Sequence, residues 1–231
     1  MPLQSSILKR LLLACLFSFA LLGAAHAQKA YVIGKRTYTR LQSGQEQSFS
    51  RVRYNTIDLA MRITQGSRTD AEKAEAIALW IAKHIEYDTS LRFDRALQKK
   101  IYTSKTSVLN HVLKRRKALC GGYAFLFQKL CNEVGIEAEV IHGYTNDYAN
   151  MSLNKSKPNH SWNAVKLNGT WHLLDITWAI SHGNTNTPKM FWYLTKPSDF
   201  IKTHYPQDSA WTLLSNTVTL REFRQQASFS E

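Results

Sequence analysis

Between Thr69 and Ile85 apolar side chains return every three or four residues, at Ala74, Ile77, Ala78, Ile81, Ala82 and Ile85. That spacing predicts a helix with one buried face, and its acids come early and its cations late, as the helix dipole favours. A weaker helical pattern precedes it from Asn55 to Ile63. Residues Tyr87 to Lys105 carry many charges and no clear period, which predicts a long surface connection of the kind that often serves a site. Thr106 or Ser107 is placed to cap a short helix through Val108, Leu109, Val112 and Leu113, and the cationic run from Lys114 to Lys117 breaks its pattern. A strong helix follows from Cys120 to Val134, closed by Gly135.

Beyond Gly135 the period becomes that of strands, at Ile136–Tyr144, His160–Leu167 and Trp171–Trp178, with more aromatic strand material at Met190–Leu194. A polar loop separates the first two strands, and Asn168-Gly169 is a two-residue hairpin signal between the second and third. Helices followed by an antiparallel sheet, without alternating strand–helix–strand units, predict an α+β domain.

The N-terminus changes the picture of where the protein works. Lys9 and Arg10 lead into an apolar run from Leu11 to Gly23, followed by small residues at Ala25-His26-Ala27. This reads as an export signal over residues 1–27, cut near Ala27, which predicts a periplasmic or secreted protein. The run continues past Cys15, so lipidation of that cysteine is not expected. No later segment approaches the roughly 20 apolar residues of a membrane span, and no stable membrane insertion is expected. The remaining roughly 200 residues suit one domain: an N-terminal extension over 28–69 with a short strand at Tyr31–Ile33, the main domain over 70–214, and a polar tail over 215–231. The net charge is +13, of which Lys9 and Arg10 belong to the leader. Such a surface favours anionic neighbours, an anionic polymer among them, and a solubilising charge excess explains it equally well. There is no nucleic-acid-binding motif.

With Cys15 in the leader, two cysteines remain. Cys120 and Cys131 on one helix stand about 16 Å apart along its axis, too far to pair when bridged α-carbons lie within about 7 Å. A free thiol in an oxidising compartment asks for a function. Cys120 begins its helix, where unpaired N–H groups and the macrodipole favour a thiolate, and Gly121 and Gly122 would let a substrate backbone approach the sulfur. Cys131 falls among Phe127, Leu130 and Val134 and reads as core.

A nucleophilic cysteine needs a base, and the hairpin supplies one. With Asn168-Gly169 as the loop, Leu167 faces Thr170, His160 faces Thr177 and Trp162 faces Asp175. His160 and Asp175 then share a face as diagonal neighbours, about 7 to 8 Å apart by α-carbon, a span that an imidazole and a carboxylate bridge. Asp175 would orient His160 through one ring nitrogen, and the other nitrogen would take the Cys120 proton. His142 and His172 are alternative bases without that relation to Asp175. His84, His111, His142, His172, His182 and His204 form no close ligand spacing with a cysteine, so neither metal nor other cofactor is expected. Trp162, Trp171 and Trp178 read first as sheet-packing residues, and Trp178 and Tyr144 are also placed to line a substrate groove.

"ALCGGYAFLFQKLCNEVGIEAEVIHGY" and "NHSWNAVKLNGTWHLLDITW" resemble the motifs of the transglutaminase-like superfamily, which surround a Cys, a His and an Asp in that order. "AIALWIAKHIEYD" fits the helix upstream, and "FWYLTKPSDFIKTHYPQDSAWTLL" resembles the segment after the core in kyphoscoliosis peptidase-like members. The resemblance implies a papain-like core in which the nucleophile Cys120 starts a helix packed on an antiparallel sheet, with His160 as base and Asp175 as orienting acid. It implies acyl transfer from a protein or peptide substrate, possible in the cell envelope. Passing the acyl group to water makes a peptidase or amidase, passing it to an amine makes a protein-glutamine acyltransferase, and loss of catalysis would leave a binding module on the same fold. The second oxyanion donor beside the Cys120 N–H has no assignment from the sequence.

Overall fold

The computed structural model describes residues 56–145, 157–216 and 218–225. The expected leader, the Tyr31–Ile33 strand, most of the N-terminal extension, much of the loop before His160 and the end of the tail lie outside the described residues.

A helical stretch over residues 56–63 precedes α1 (Asp70–His84), which starts where Thr69 accepts the Glu72 N–H and Glu72 reaches back to the Thr69 backbone. The segment expected as a surface connection is instead built from short elements: β1 (Glu86–Tyr87), α2 (Thr89–Phe93) and α3 (Arg95–Ile101). Asp88 and Asp94 accept the Leu91 and Leu97 N–H groups as their N-caps, so capping chemistry, not apolar period, starts both helices. The next helix, α4 (Lys105–Arg115), is capped by Ser104 and runs through Lys114 and Arg115, ending at Arg116 in the left-handed region. The cap therefore lies two to three residues before Thr106 and Ser107. Lys117–Ala118 forms β2, which pairs parallel with β1.

Helix α5 (Cys120–Glu133) lies at the centre, packed against α1, α4 and the sheet. Gly135 follows in the left-handed region, as expected of a helix stop. The sheet contains β3 (Ala138–Thr145), β4 (His160–Leu167), β5 (Thr170–Leu174) and β6 (His204–Pro206), antiparallel in the order β5-β4-β3-β6. Asn168 and Gly169 both have positive φ, and the register runs from Leu167↔Thr170 to Asn163↔Leu174. The hairpin signal thus set the pairing as expected.

Strand β5 stops four residues earlier than its sequence pattern predicted. Asp175 leaves the strand to cap α6 (Ile176–Ser181), accepting the Trp178 N–H at 3.1 Å, so the pairs Trp162–Asp175 and His160–Thr177 do not form. The aromatic run at Met190–Leu194 is not a strand either. Met190–Trp192 makes a single 3-10 turn, after which come α7 (Pro197–Phe200), β6, a 3-10 turn at Ser209–Thr212 and α8 (Leu220–Gln225).

Strand β4 is buried along nearly its whole length, because both faces of the sheet are covered. Val165 and Leu167 face the helical core with Ile77, Leu126, Phe127 and Leu130. Trp162 and Ala164 face a second cluster with Ile141, Leu173, Trp192 and Phe200. Asn163, 2% exposed, donates from Nδ2 to the carbonyls of Ala124 and Glu139, each at 3.0 Å. This side chain ties helix α5, which begins at Cys120, to the sheet that carries His160.

Candidate active site

Cys120 is the first residue of α5, and its N-cap, Leu119, offers no side-chain acceptor to the helix start. No cap therefore satisfies the N–H groups of Cys120 and Gly121, which are left for an anion, whereas those of Gly122 and Tyr123 donate to Leu119 O at 2.8 and 3.1 Å. Burial alone raises the Cys120 thiol, but the His160 charge, a hydrogen bond with that ring and the Ser161 backbone N–H together hold it below its usual value. Cys131 has only the burial and is pushed far up. Cys120 and Cys131 are both free thiols, and their shifts run in opposite directions.

His160 opens β4. Its Nε2 stands 2.5 Å from Asp175 Oδ2, which leaves Nδ1 as the ring nitrogen for the thiol. Burial lowers the His160 pKa, yet the Asp175 carboxylate and the Cys120 sulfur outweigh it and raise the value to about 10. Asp175 is 1% exposed; burial works against its charge, and His160 and His204 still hold it well below the usual carboxylate range. The contact expected from hairpin geometry therefore exists, although Asp175 reaches it from a helix cap. Its backbone N–H donates to Trp192 O at 2.8 Å and fixes the residue at the strand–helix junction.

His204 is a fourth member of the cluster. Its Nε2 donates to Asp175 Oδ2 at 3.0 Å, and its Nδ1 lies 2.8 Å from Thr203 Oγ1. A carboxylate only accepts, so Nε2 carries a hydrogen. Burial brings the His204 pKa down to about 4, against the pull of Asp175. In the sequence His204 is one of six histidines without ligand spacing to a cysteine, and nothing local links it to residue 175. The aromatic segment Phe191–Tyr205 was the available signal, because it had to cover the back of a sheet carrying His160.

His160, Asp175 and His204 bring ligand-type atoms within 4.8 Å of one another. A tetrahedral ion would hold neighbouring ligand atoms about 3.3 Å apart, whereas the two contacts to Asp175 Oδ2 are 2.5 and 3.0 Å. The arrangement is that of a hydrogen-bond chain.

Cys120 and His160 open onto a cleft of about 1090 Å³, walled on one side by α2 and α3 and on the other by α6. Gly121 and Trp178 line it. The Trp178 ring lies 6.2 Å from that of His160 and 4.4 Å from that of His204. Gly122 serves packing: a side-chain carbon there would stand 2.9 Å from Ala118 Cβ and from Val112 Cγ2. Tyr144 does not line the cleft. It pairs with Tyr205 across β3 and β6 and packs beside Phe223 and Leu220, with Arg224 over its ring, and the adjacent Thr145 reaches the cleft instead. His142 bonds Ser161 Oγ at 2.8 Å and His172 pairs with Val165 on β5, so neither is joined to Asp175.

The chain spans about a quarter of the length of the curated relatives it matches. It is 33% identical over 174 residues to kyphoscoliosis peptidase of Mus musculus and of Homo sapiens, covering 72% of this chain and 25% of each relative. Hillarin of Drosophila melanogaster is 28% identical over 189 residues, covering 72% of this chain and 22% of hillarin. Among solved structures, one described as a TGase superposes with a TM-score of 0.40 at 20% identity, covering 69% of this chain and 39% of that one. The transglutaminase-like superfamily model matches residues 57–176, a span holding Cys120, His160 and Asp175. With that match extending over more than half of its sequence, the chain belongs to the transglutaminase-like superfamily.

Proposed function

We propose that the chain is an exported cysteine-dependent peptidase or amidase that cleaves peptide or isopeptide amides through a thioester on Cys120. The observation that carries this reading is the placement of Cys120 at an uncapped helix start, facing a His160 whose far nitrogen is held 2.5 Å from Asp175. Thiolate and imidazolium then coexist, the sulfur held down and the ring held up. In the first half-reaction the Cys120 sulfur attacks the carbonyl carbon, and the oxyanion meets the Cys120 N–H. His160 gives its Nδ1 proton to the departing amine as the C–N bond breaks. In the second, neutral His160 takes a proton from water, the hydroxyl adds to the thioester, and the acid leaves as the thiolate re-forms. The relatives named as peptidases support hydrolysis, and a protein-glutamine acyltransferase would differ only by admitting an amine to the same thioester. The leader pattern at residues 1–27 supports export, with substrates in the cell envelope or outside it.

The test is the pH dependence of iodoacetamide labelling of each cysteine, read by peptide mass spectrometry, with Cys131 as internal reference and His160→Ala as control. Fast labelling of Cys120 below pH 7 that disappears in the control is the expected result. Labelling only above about pH 8, as for an ordinary thiol, would remove the catalytic reading and leave a binding module. N-terminal sequencing of the exported protein, expected to begin at Gln28, checks the leader.

A further inference from the structure

The wall formed by α2 and α3 has a one-sided charge. Arg92, Arg95 and Lys99 line the cleft, while no Asp or Glu lines it among the described residues. The arm is not short of acids. Asp88 and Asp94 both belong to it, but each turns its carboxylate back onto a helix start, accepting the Leu91 and Leu97 N–H groups at 2.9 and 2.8 Å. Asp88 is 1% exposed and is further engaged by Arg115 Nη1 at 3.4 Å. Asp88 is thus buried and Asp94 is exposed at the start of α3, and neither lines the cleft, whose charged lining residues are all cationic. Beside these cations Phe93 is 76% exposed on the same wall, with the Arg92 guanidinium 6.0 Å from its ring.

We infer that the cleft selects acyl donors within acidic peptide segments, with carboxylates meeting Arg95 and Lys99 and an apolar side chain meeting Phe93. This inference rests on the proposed acyl-transfer chemistry at Cys120. A peptide is favoured over other polyanions because the nucleophile requires an amide carbonyl and Phe93 and Trp178 give the two walls of the cleft apolar surface. Fixed charges beside a low-dielectric cleft raise the local concentration and arrival rate of an opposite charge, by about 10-fold to 1000-fold for whole fields of this kind.

Three N-iodoacetyl peptides that differ only in two residues, Asp-Asp, Ser-Ser or Lys-Lys, test this on the full chain. Each alkylates Cys120 as iodide leaves, so rates compare arrival at one sulfur. The expected result is that the Asp-Asp peptide reacts at least about tenfold faster than the Lys-Lys peptide at low ionic strength. The ratio should collapse in 1 M salt, where the screening length is about 3 Å, and should invert in the double variant Arg95→Glu/Lys99→Glu. The neutralised variant Arg95→Gln/Lys99→Gln gives the same comparison with less perturbation of folding, and its ratio is expected near one. Equal rates for the three peptides in the parent protein, or a ratio unmoved by both variants, would overturn the inference. Protection of Cys120 by heparin but not by an acidic peptide of equal charge would overturn it in favour of an anionic polysaccharide. The pH profile with the Ser-Ser peptide reports separately on the thiolate–imidazolium pair, so failure of the catalytic reading and failure of the charge selection give different results.

Discussion

His204 donates its Nε2–H to Asp175 Oδ2 at 3.0 Å, on the same oxygen that receives His160. Two donors on one oxygen hold the buried carboxylate ionised and fix the direction of its lone pairs, and the ionised carboxylate stabilises the imidazolium. His204 is therefore a positioning residue that acts on Cys120 through Asp175 and His160. His204→Ala should move the alkaline end of the Cys120 reactivity window to lower pH, because a less firmly held Asp175 supports a less basic His160. His204→Gln keeps an N–H donor and should restore part of the shift. Iodoacetamide labelling against pH measures both, and a variant with the parent's profile and only a lowered melting temperature would show that His204 is structural.

Asp175→Asn tests the chain one step nearer the sulfur. It keeps shape and removes the charge that raises His160, and the analogous change in a serine triad costs about 10⁴-fold in turnover. A fall of roughly 10² to 10⁴-fold in thioester formation, with the Trp178 cap hydrogen bond retained, is expected in stopped-flow acylation.

Folding stability should show the same groups with separate signs. His160 rises from 6.5 to about 10 on folding, so its contribution is full below pH 6.5 and is lost as pH climbs through 10. His204 falls from 6.5 to about 4: between those values the unfolded chain binds a proton that the folded chain refuses, and stability declines as pH drops across that range. Asp175, held below 3.8, adds a further loss under still more acidic conditions. Melting temperatures measured from pH 3 to 10 should therefore pass through a maximum near pH 6.5 and fall on both sides, and His204→Gln should flatten the fall between pH 6.5 and 4.

These couplings show what could be read from the sequence. The Asn168-Gly169 turn fixed the β4–β5 register through local backbone conformation, and the apolar period placed α1 and α5. Short-range chemistry of that kind is visible in a sequence. Asp175 as a helix cap was not, because the residues after it, Ile176-Thr177-Trp178, are β-branched and aromatic and match a strand until the Asp175 side chain caps the turn. His204 was hidden for a different reason: strand β6 has three residues, too few for a period, and it joins the sheet beside β3 through contacts distant in sequence. The α2–α3 arm was missed because its helices are set by Asp88 and Asp94 caps and are too short to show an apolar face.

Thr177 gives a prediction about substrate. Its hydroxyl is buried and has no hydrogen-bond partner among the described residues, and the residue lines the cleft. A hydroxyl left unpaired in the free protein costs about 1–3 kcal/mol, which a bound substrate's carbonyl would relieve. Thr177→Val should therefore keep or raise the melting temperature while lowering kcat/KM by about tenfold, one hydrogen bond's worth. A loss of stability with unchanged kcat/KM would place the hydroxyl in packing alone.

Gly143 joins the two histidines through the sheet. It pairs with His160 on one side and with Pro206 on the other. A side-chain carbon at this position would collide with the Tyr205 carbonyl and the Trp162 ring and stand 2.9 Å from Pro206 Cα. Backbone cannot give way as the end of a flexible side chain does, so Gly143→Ala should push β6 from β3 at a cost of about 1–3 kcal/mol. Because β6 carries His204, the displacement should also weaken its hydrogen bond to Asp175. The variant is then expected to reproduce the narrowed reactivity window of His204→Ala, and the double variant to be no narrower than either single one. Additive shifts in the double variant would mean that Gly143 and His204 act on Cys120 by separate routes.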